Sequence, residues 1–352
     1  MKSFIVGMLS FIIALIIIPI IRKLAFKFEI LDYPGGRKIH KHVTPLLGGL
    51  GIYLAVMVAL ISADGAMGLI LPILIGSTLI FVLGLIEDVQ GLSAQIRFVA
   101  QLIITLGMIF IGGLRIEFLP NNSWGNIVEV VLTIFWLVGL TNAYNYLDGL
   151  DGLAAGSAVI NLFFFLVILY NTGQYSLGIL AISLIGGCLA FLPYNLDKKN
   201  KIFLGEAGST FLGFTLASLA LQGSWAHDSM VRLFIPILIL GVPIFDMVFT
   251  TIMRIKEEKV KNIVEWLEYG GKDHFHHYLV DAGLAPLGAV FFIYAINLSL
   301  GISSVMLSND TVIEGLLSLY QAAIIFGVIA TLMVVGKRHR SGWGASKVSQ
   351  GE

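Results

Sequence analysis

Asn142, Asn145, Asp148 and Asp151 recur every third residue in the stretch TNAYNYLDGLDGLAAG, so two amides and two carboxylates fall within ten positions. On a helical or tightly turning backbone this spacing brings successive side chains near one face, and Gly149 and Gly152 permit a sharp turn after each Asp. Such a cluster suits a cation, or a ligand rich in hydroxyls and amides. A polar helix cap with Gly152-x-x-x-Gly156 packed on a neighbour is the plainer reading. A cap needs one polar residue, however, and this stretch offers four.

Four further groups carry reactive side chains. Glu87 and Asp88 are adjacent, with Arg97 following; neighbouring carboxylates repel, and one of them with a raised pKa would serve as a general base near neutral pH. Phe203-Leu-Gly-Glu-Ala-Gly-Ser209 sets Glu206 between two glycines just before an apolar run. Backbone N–H groups near Gly208 and Ser209 at a helix start would favour an anion, and Glu206 a cation. His274, His276 and His277 cluster beside Lys272, and Arg37, Lys38, His40 and Lys41 form a second basic patch. Clustered histidines suggest zinc, but no cysteine is near and the other donors are oxygens, which suit Mg²⁺ or Mn²⁺ better. Histidine and lysine would then hold phosphate or donate protons. Acidic metal ligands and basic phosphate holders together point to phosphoryl chemistry.

The elements that must position these residues are membrane helices. Of 352 residues, 57% are hydrophobic and 12% charged, and the mean hydropathy is +0.91, far outside the range of a soluble domain. Apolar segments fit to cross a core of ~30 Å fall near 4–22, 46–63, 67–86, 96–113, 126–141, 153–170, 175–193, 209–224, 231–253, 287–306 and 312–335. The expectation is an all-α, polytopic membrane protein of about eleven transmembrane helices, one integral-membrane domain over 1–352. The first apolar run has no small-residue cleavage site and reads as a retained span. With the N-terminus outside, nearly every Lys and Arg falls on the inner side and only Lys2, Arg115 and Arg232 outside, which also places a tail over 337–352 in the cytoplasm.

The same sorting gathers the reactive groups at the cytoplasmic face of the inner membrane. That one-sidedness resembles an enzyme more than a transporter, whose polar groups lie near the midplane. Asp246 sits deep within a span, and a structural hydrogen bond and a site role are equally good readings of it. Residues 255–269 carry an apolar stripe of Val260, Ile263, Val264 and Leu267 and read as a helix lying on the inner membrane surface. Cys188, the single cysteine, lies in an apolar run and reads as packing. Zero net charge argues against nucleic acid as a partner.

At these residues the chain resembles the polyprenyl-phosphate N-acetylhexosamine-1-phosphate transferases, the WecA/TagO-type enzymes related to phospho-MurNAc-pentapeptide translocase. The resemblance runs from Asp32-x-Pro34-x-x-Arg37-Lys38-x-His40 with Pro45-x-x-Gly48-Gly49, through Asn142-x-x-Asn145-x-x-Asp148-Gly-x-Asp151-Gly-Leu-Ala, to His274-Phe-His-His. It implies transfer of a sugar-1-phosphate from a UDP-sugar to undecaprenyl phosphate, with release of UMP, a need for Mg²⁺ and the start of a surface-glycan pathway. By position, Glu206 and Asn145 would hold the metal, Phe203 would stack on uracil and Asp151 would bond it. Asp88 with Glu87 would position or deprotonate the lipid phosphate, Asp148 would be a third catalytic residue, and Asn142 would bind substrate. Lys38 with Arg37, Arg254 and the three histidines would neutralise phosphate. The histidine pattern resembles the GlcNAc branch, which favours UDP-GlcNAc over other UDP-N-acetyl sugars; assembly as a homodimer is left open. The family usually has Asp where Glu87 and Glu206 stand, Arg where Leu46 stands, and often Asp at Gly271. Two rivals are weaker. A CDP-alcohol phosphotransferase needs an Arg soon after Asp-Gly, and here Leu153-Ala154-Ala155 follows; a lipid transporter or flippase would need no divalent metal.

Overall fold

A computed structural model describes residues 2–34, 43–63, 67–269, 271, 273–308 and 311–348. The described chain is nearly all helical: α1 (Lys2–Lys27), α2 (Gly48–Ile61), α3 (Met67–Gln90), α4 (Ala94–Phe110), α5 (Ser123–Leu147), α6 (Leu153–Asn171) and α7 (Tyr175–Leu196) come first. They are followed by α8 (Gly205–Gln222), α9 (Ser229–Ile239), α10 (Gly241–Lys256), α11 (Ile263–Glu268), α12 (Phe275–Asp281), α13 (Pro286–Leu307) and α14 (Val312–Val348). Seven helices are long and apolar enough to cross a membrane, or eight if α9 and α10, bent by 76° at their junction, form one span. The sequence reads 231–253 as one straight segment. Pro243 explains the elbow, because it has no N–H to give the carbonyl of Ile239 and the hydrogen-bond ladder breaks there.

Helix α8 is the centre of the bundle. Every residue from Ala207 to Ala220 is buried, as expected of a helix enclosed on all sides. It packs chiefly against α3, α5 and α2, and its small side chains let those helices approach closely. Trp136 of α5 donates its indole N–H to the Ala217 carbonyl at 3.0 Å, and Trp225 donates to Ala220 at 2.7 Å. At the periphery, α14 presents Leu316, Leu317, Tyr320, Ile324, Val328 and Leu332 outward, the surface that lipid would cover.

Two features depart from a purely helical expectation. Leu31–Asp32 (β1) and Thr44–Pro45 (β2) pair antiparallel, Leu31 opposite Pro45 and Asp32 opposite Thr44. The ladder closes the base of the segment bearing Arg37, Lys38, His40 and Lys41, which lie outside the described residues, as does Lys272. The second departure is that 255–269 is not one helix. Helix α10 ends at Lys256, Glu258 takes a left-handed backbone (φ 53), and α11 starts afresh behind an Asn262 cap that accepts from the Glu265 N–H at 2.9 Å. Glu265 reaches back to the Lys261 N–H at 2.7 Å, so a reciprocal capping arrangement outweighs the apolar stripe. Val260 turns inward and is buried while Val264 is exposed.

Candidate active site

The start of α8 is fixed by a carboxylate of the chain itself. Asp88, near the end of α3, accepts from the backbone N–H groups of Glu206 at 2.9 Å and Ala207 at 3.0 Å. An anion at a helix N-terminus is stabilised both by the free N–H groups and by the helix dipole. The geometry depends on Gly205, whose φ is +78° and whose missing Cβ would stand 2.7 Å from Asp88 Oδ2. The anion-binding N–H groups that the sequence places near Gly208 and Ser209 thus lie two residues earlier and hold Asp88.

Around this clamp the other carboxylates converge. The Asn145 amide, on the last turn of α5, donates to Glu206 Oε2 and to Ser209 Oγ at 3.1 Å. Arg97, near the start of α4, pairs with Glu87 and also reaches Glu206 at 3.3 Å. Glu87 Oε2 is buried and has no hydrogen-bond partner among the described residues. Asp148 follows the end of α5; burial, then the charges of Glu206, Asp151 and Asp88, raises its pKa well above the ordinary carboxylate range. Asn142, one turn deeper on α5, donates to Gln101 at 2.7 Å and to the Val138 carbonyl at 2.8 Å.

A second edge carries Asp151 and Phe203. Lys201 pairs with Asp151 and lies over the Phe203 ring, 5.2 Å from its centroid. The Phe203 backbone is stitched to the hairpin base: its N–H donates to the Pro45 carbonyl at 2.9 Å, and its carbonyl accepts from Gly48 at 2.8 Å.

The histidines form the third edge. His276 lies against Gly149, where a Cβ would stand 2.2 Å from the ring Nε2, so the glycine between the two Asp residues is what admits the imidazole. His276 is 1% exposed and neither ring nitrogen has a partner among the described residues; burial, then the neighbouring His277, lowers its pKa to about 3. The His277 ring lies 4.2 Å from that of His276. Arg254 is 2% exposed and makes a two-pronged pair with Asp273 at 2.9 and 2.8 Å, which in turn holds the Asp273 carboxyl below the usual range despite its burial. His274 joins Asp246 at 2.9 Å.

The structure therefore brings Glu87, Asp88, Asn145, Asp148, Glu206 and His276 to one end of the bundle, with Asp151 and Phe203 beside them and Asn142 behind. Arg37 and Lys38 fall outside the described residues. Sequence reasoning set Arg97 with Glu87 and Asp88 but not with Glu206, and it missed two further partners that hold the site: Lys201 between Asp151 and Phe203, and Asp273 beside Arg254. Only charge balance could have signalled them. Among the described residues, no three His, Cys, Asp or Glu side chains stand together at metal-holding distance. The donors present are nevertheless of the kind Mg²⁺ takes, carboxylate and amide oxygens rather than sulfur or imidazole. The orphaned Glu87 oxygen is an acceptor that a cation would satisfy, and Arg97 supplies positive charge between Glu87 and Glu206.

A family profile described as glycosyl transferase family 4 matches residues 70–224, the segment from α3 through α8. The chain is 36% identical over 335 residues, covering 93% of this chain and 90% of the relative, to a probable undecaprenyl-phosphate N-acetylglucosaminyl 1-phosphate transferase of Bacillus subtilis. It is 25% identical over 291 residues to an undecaprenyl-phosphate alpha-N-acetylglucosaminyl 1-phosphate transferase of Yersinia pestis, covering 80% of this chain and 78% of that protein. A phospho-N-acetylmuramoyl-pentapeptide-transferase of Staphylococcus saprophyticus is 27% identical over 276 residues, 72% of this chain and 84% of its own length. The clustered carboxylates on α3, α5 and α8, the hairpin base and the histidine edge are the segments that carried the sequence resemblance, and the chain belongs to glycosyl transferase family 4, the polyprenyl-phosphate N-acetylhexosamine-1-phosphate transferases.

Proposed function

We propose that the chain transfers N-acetylglucosamine-1-phosphate from UDP-N-acetylglucosamine to undecaprenyl phosphate at the cytoplasmic face of the inner membrane, releasing UMP and initiating a surface glycan. The observation that carries this reading is the convergence of Glu87, Asp88, Asn145, Asp148, Glu206 and His276 at a single bundle end, in a chain whose relatives are named for this transfer. Phosphoryl transfer asks a protein mainly for positioning and charge stabilisation. Mg²⁺, held by Glu206 and the Asn145 amide oxygen, would neutralise diphosphate charge. Asn145 now presents its N–H₂ to Glu206, and turning the amide over exchanges donor for acceptor. Asp88 and Gly205 fix the α8 start that bears Glu206. Glu87, with one oxygen unpartnered, faces the acceptor phosphate as its orienting or proton-accepting group. Lys201, Asp151 and Phe203 form the edge for the uridine and its adjoining phosphate.

The topology that goes with this reading has eleven spans: seven long helices, the bent α9–α10 pair, and the three shorter or less apolar helices α2, α4 and α8. An odd number puts the two termini on opposite sides, and the Lys and Arg distribution favours the N-terminus outside and the C-terminus inside.

The test is to incubate the purified chain with undecaprenyl phosphate, Mg²⁺ and a panel of UDP-N-acetyl sugars, measuring UMP and lipid product with and without EDTA. Metal-dependent product from UDP-N-acetylglucosamine is expected. Folded protein that yields no UMP with any donor refutes the reading.

A further inference from the structure

The three histidines of the cluster are not equivalent, and the difference assigns a task to Asp246. We propose that Asp246 is a positioning residue that acts through His274 to set His276, and that His276 is the histidine of this pair that meets a phosphoryl oxygen of the substrate. The proposal rests on the transfer reading above and divides labour within its site.

Asp246 is 1% exposed on α10, and a carboxylate there persists only with its lone pairs engaged. Its Oδ1 accepts from the Phe275 backbone N–H at 2.6 Å and lies 3.4 Å from the Thr250 hydroxyl; its Oδ2 lies 2.9 Å from His274 Nδ1. On the other side of the ring, Arg254 Nη2 is 3.2 Å from His274 Nε2. A guanidinium only donates, so Nε2 accepts and the ring proton sits on Nδ1, facing Asp246. Both nitrogens of His274 are thereby engaged. Tyr146 covers the ring face at 4.6 Å, and Asp273 locks Arg254 in turn. Neither ring nitrogen of His274 is left for a ligand.

His276 is the opposite case. Its ring lies nearly parallel to that of His274, at 7° and 6.2 Å, against the turn that bears Asp148 and Asp151. It is also buried, yet among the described residues neither of its nitrogens has a partner, an exception to the rule that buried polar atoms are bonded. An imidazole left unsatisfied by the described residues beside a carboxylate cluster is poised for a group that arrives. Asp246 holds the residue between the two histidines by its backbone and the first by its side chain, so one carboxylate sets the register in which His276 enters the site.

The test compares Asp246→Asn, His274→Gln, the double variant and His276→Gln in the purified full chain, reading kcat, KM for the UDP-sugar and the melting temperature. His276→Gln is expected to lower kcat about 100-fold with little change in melting. Asp246→Asn and His274→Gln should each lower kcat by roughly tenfold, and the double variant no further than the worse single, since the two act as one unit. His276→Gly should regain activity with added imidazole and His274→Gly should not. Additive losses, an Asp246→Asn enzyme of normal kcat, or rescue confined to His274→Gly would overturn the assignment. Nitrogen NMR of the histidine-labelled wild type is independent of turnover: one imidazole should carry its proton on Nδ1 and lose that preference in Asp246→Asn. Absence of such a ring refutes the network. Loss of product by wild type with the ring intact refutes only the transfer reading.

Discussion

Replacing Asp88 with Ala removes the two acceptors that hold the first N–H groups of α8, and its effect can be worked from the contacts. Each hydrogen bond to a charged acceptor contributes ~1.5–3 kcal/mol, and an anion at a helix start adds ~0.3–1 kcal/mol. Asp88 is only half-buried, so water reaches the vacated donors and the net loss should be near half the sum, about 3 kcal/mol. At about 2 °C per kcal/mol for a chain of this size, melting should fall by about 6 °C. Asp88→Asn keeps one acceptor but turns an N–H₂ toward the other donor, so about half that loss is expected. The assay is thermal unfolding in detergent followed by tryptophan fluorescence, for which Trp136 and Trp225, bonded to α8 carbonyls, are direct reporters. Activity should fall further than stability, because Glu206 rides on the same turn. An Asp88→Ala protein that melts within about 1 °C of wild type refutes the clamp.

Gly149→Ala should lower kcat at least tenfold, since its Cβ would meet His276 Nε2 at 2.2 Å; normal turnover would show that the ring moves freely. Glu206→Gln should remove most activity while leaving the protein folded, and Glu206→Asp should retain it; isothermal titration with Mg²⁺ should show weaker binding in the Gln variant. Lys201→Met should raise KM for the UDP-sugar several-fold with kcat little changed, and an unchanged KM would remove Lys201 from the donor edge. Because His276 is held at about 3 rather than 6.5, the unfolded chain takes up a proton below pH 6.5 that the folded chain refuses. Stability present above pH 6.5 is therefore lost as pH falls toward 3, by about 1.4 kcal/mol per unit from this group. Asp148, with its raised pKa, contributes the opposite slope. The discriminating measurement is a flatter acid limb in His276→Gln than in wild type.

The candidate site residues are legible because they are polar in a chain that is otherwise apolar: a site or a cap is what accounts for Asn145, Asp148 and Glu206 at the ends of hydrophobic runs. Hydropathy also locates the long helices, whose lengths are set by the bilayer. It fails where the constraint is local or collective. The elbow between α9 and α10 follows from one missing N–H at Pro243, invisible to a window average. The break after Lys256 follows from a cap at Asn262 that competes with a periodic apolar stripe. Lys201 carries no motif and is found only when the fold sets it beside Asp151, and the fold likewise brings Arg97, read from the sequence with Glu87, to Glu206. For Asp246, the sequence left two readings open, and the structure shows the hydrogen bonds of one of them.

The enclosed position of α8 has a consequence for how the protein is made. Its run of Gly, Ser, Thr and Ala is not apolar enough to place it among the helices fit to cross a membrane unaided, and such a segment has little drive to leave the translocation channel for lipid. Its main neighbours α2, α3 and α5 all precede it in the chain. They are synthesised before α8 emerges, so the surface that receives it is other protein rather than bilayer. Chain order thus does for α8 what hydrophobicity does for its neighbours, and the helix that bears Glu206 enters a site already carrying Asp88 and Asn145.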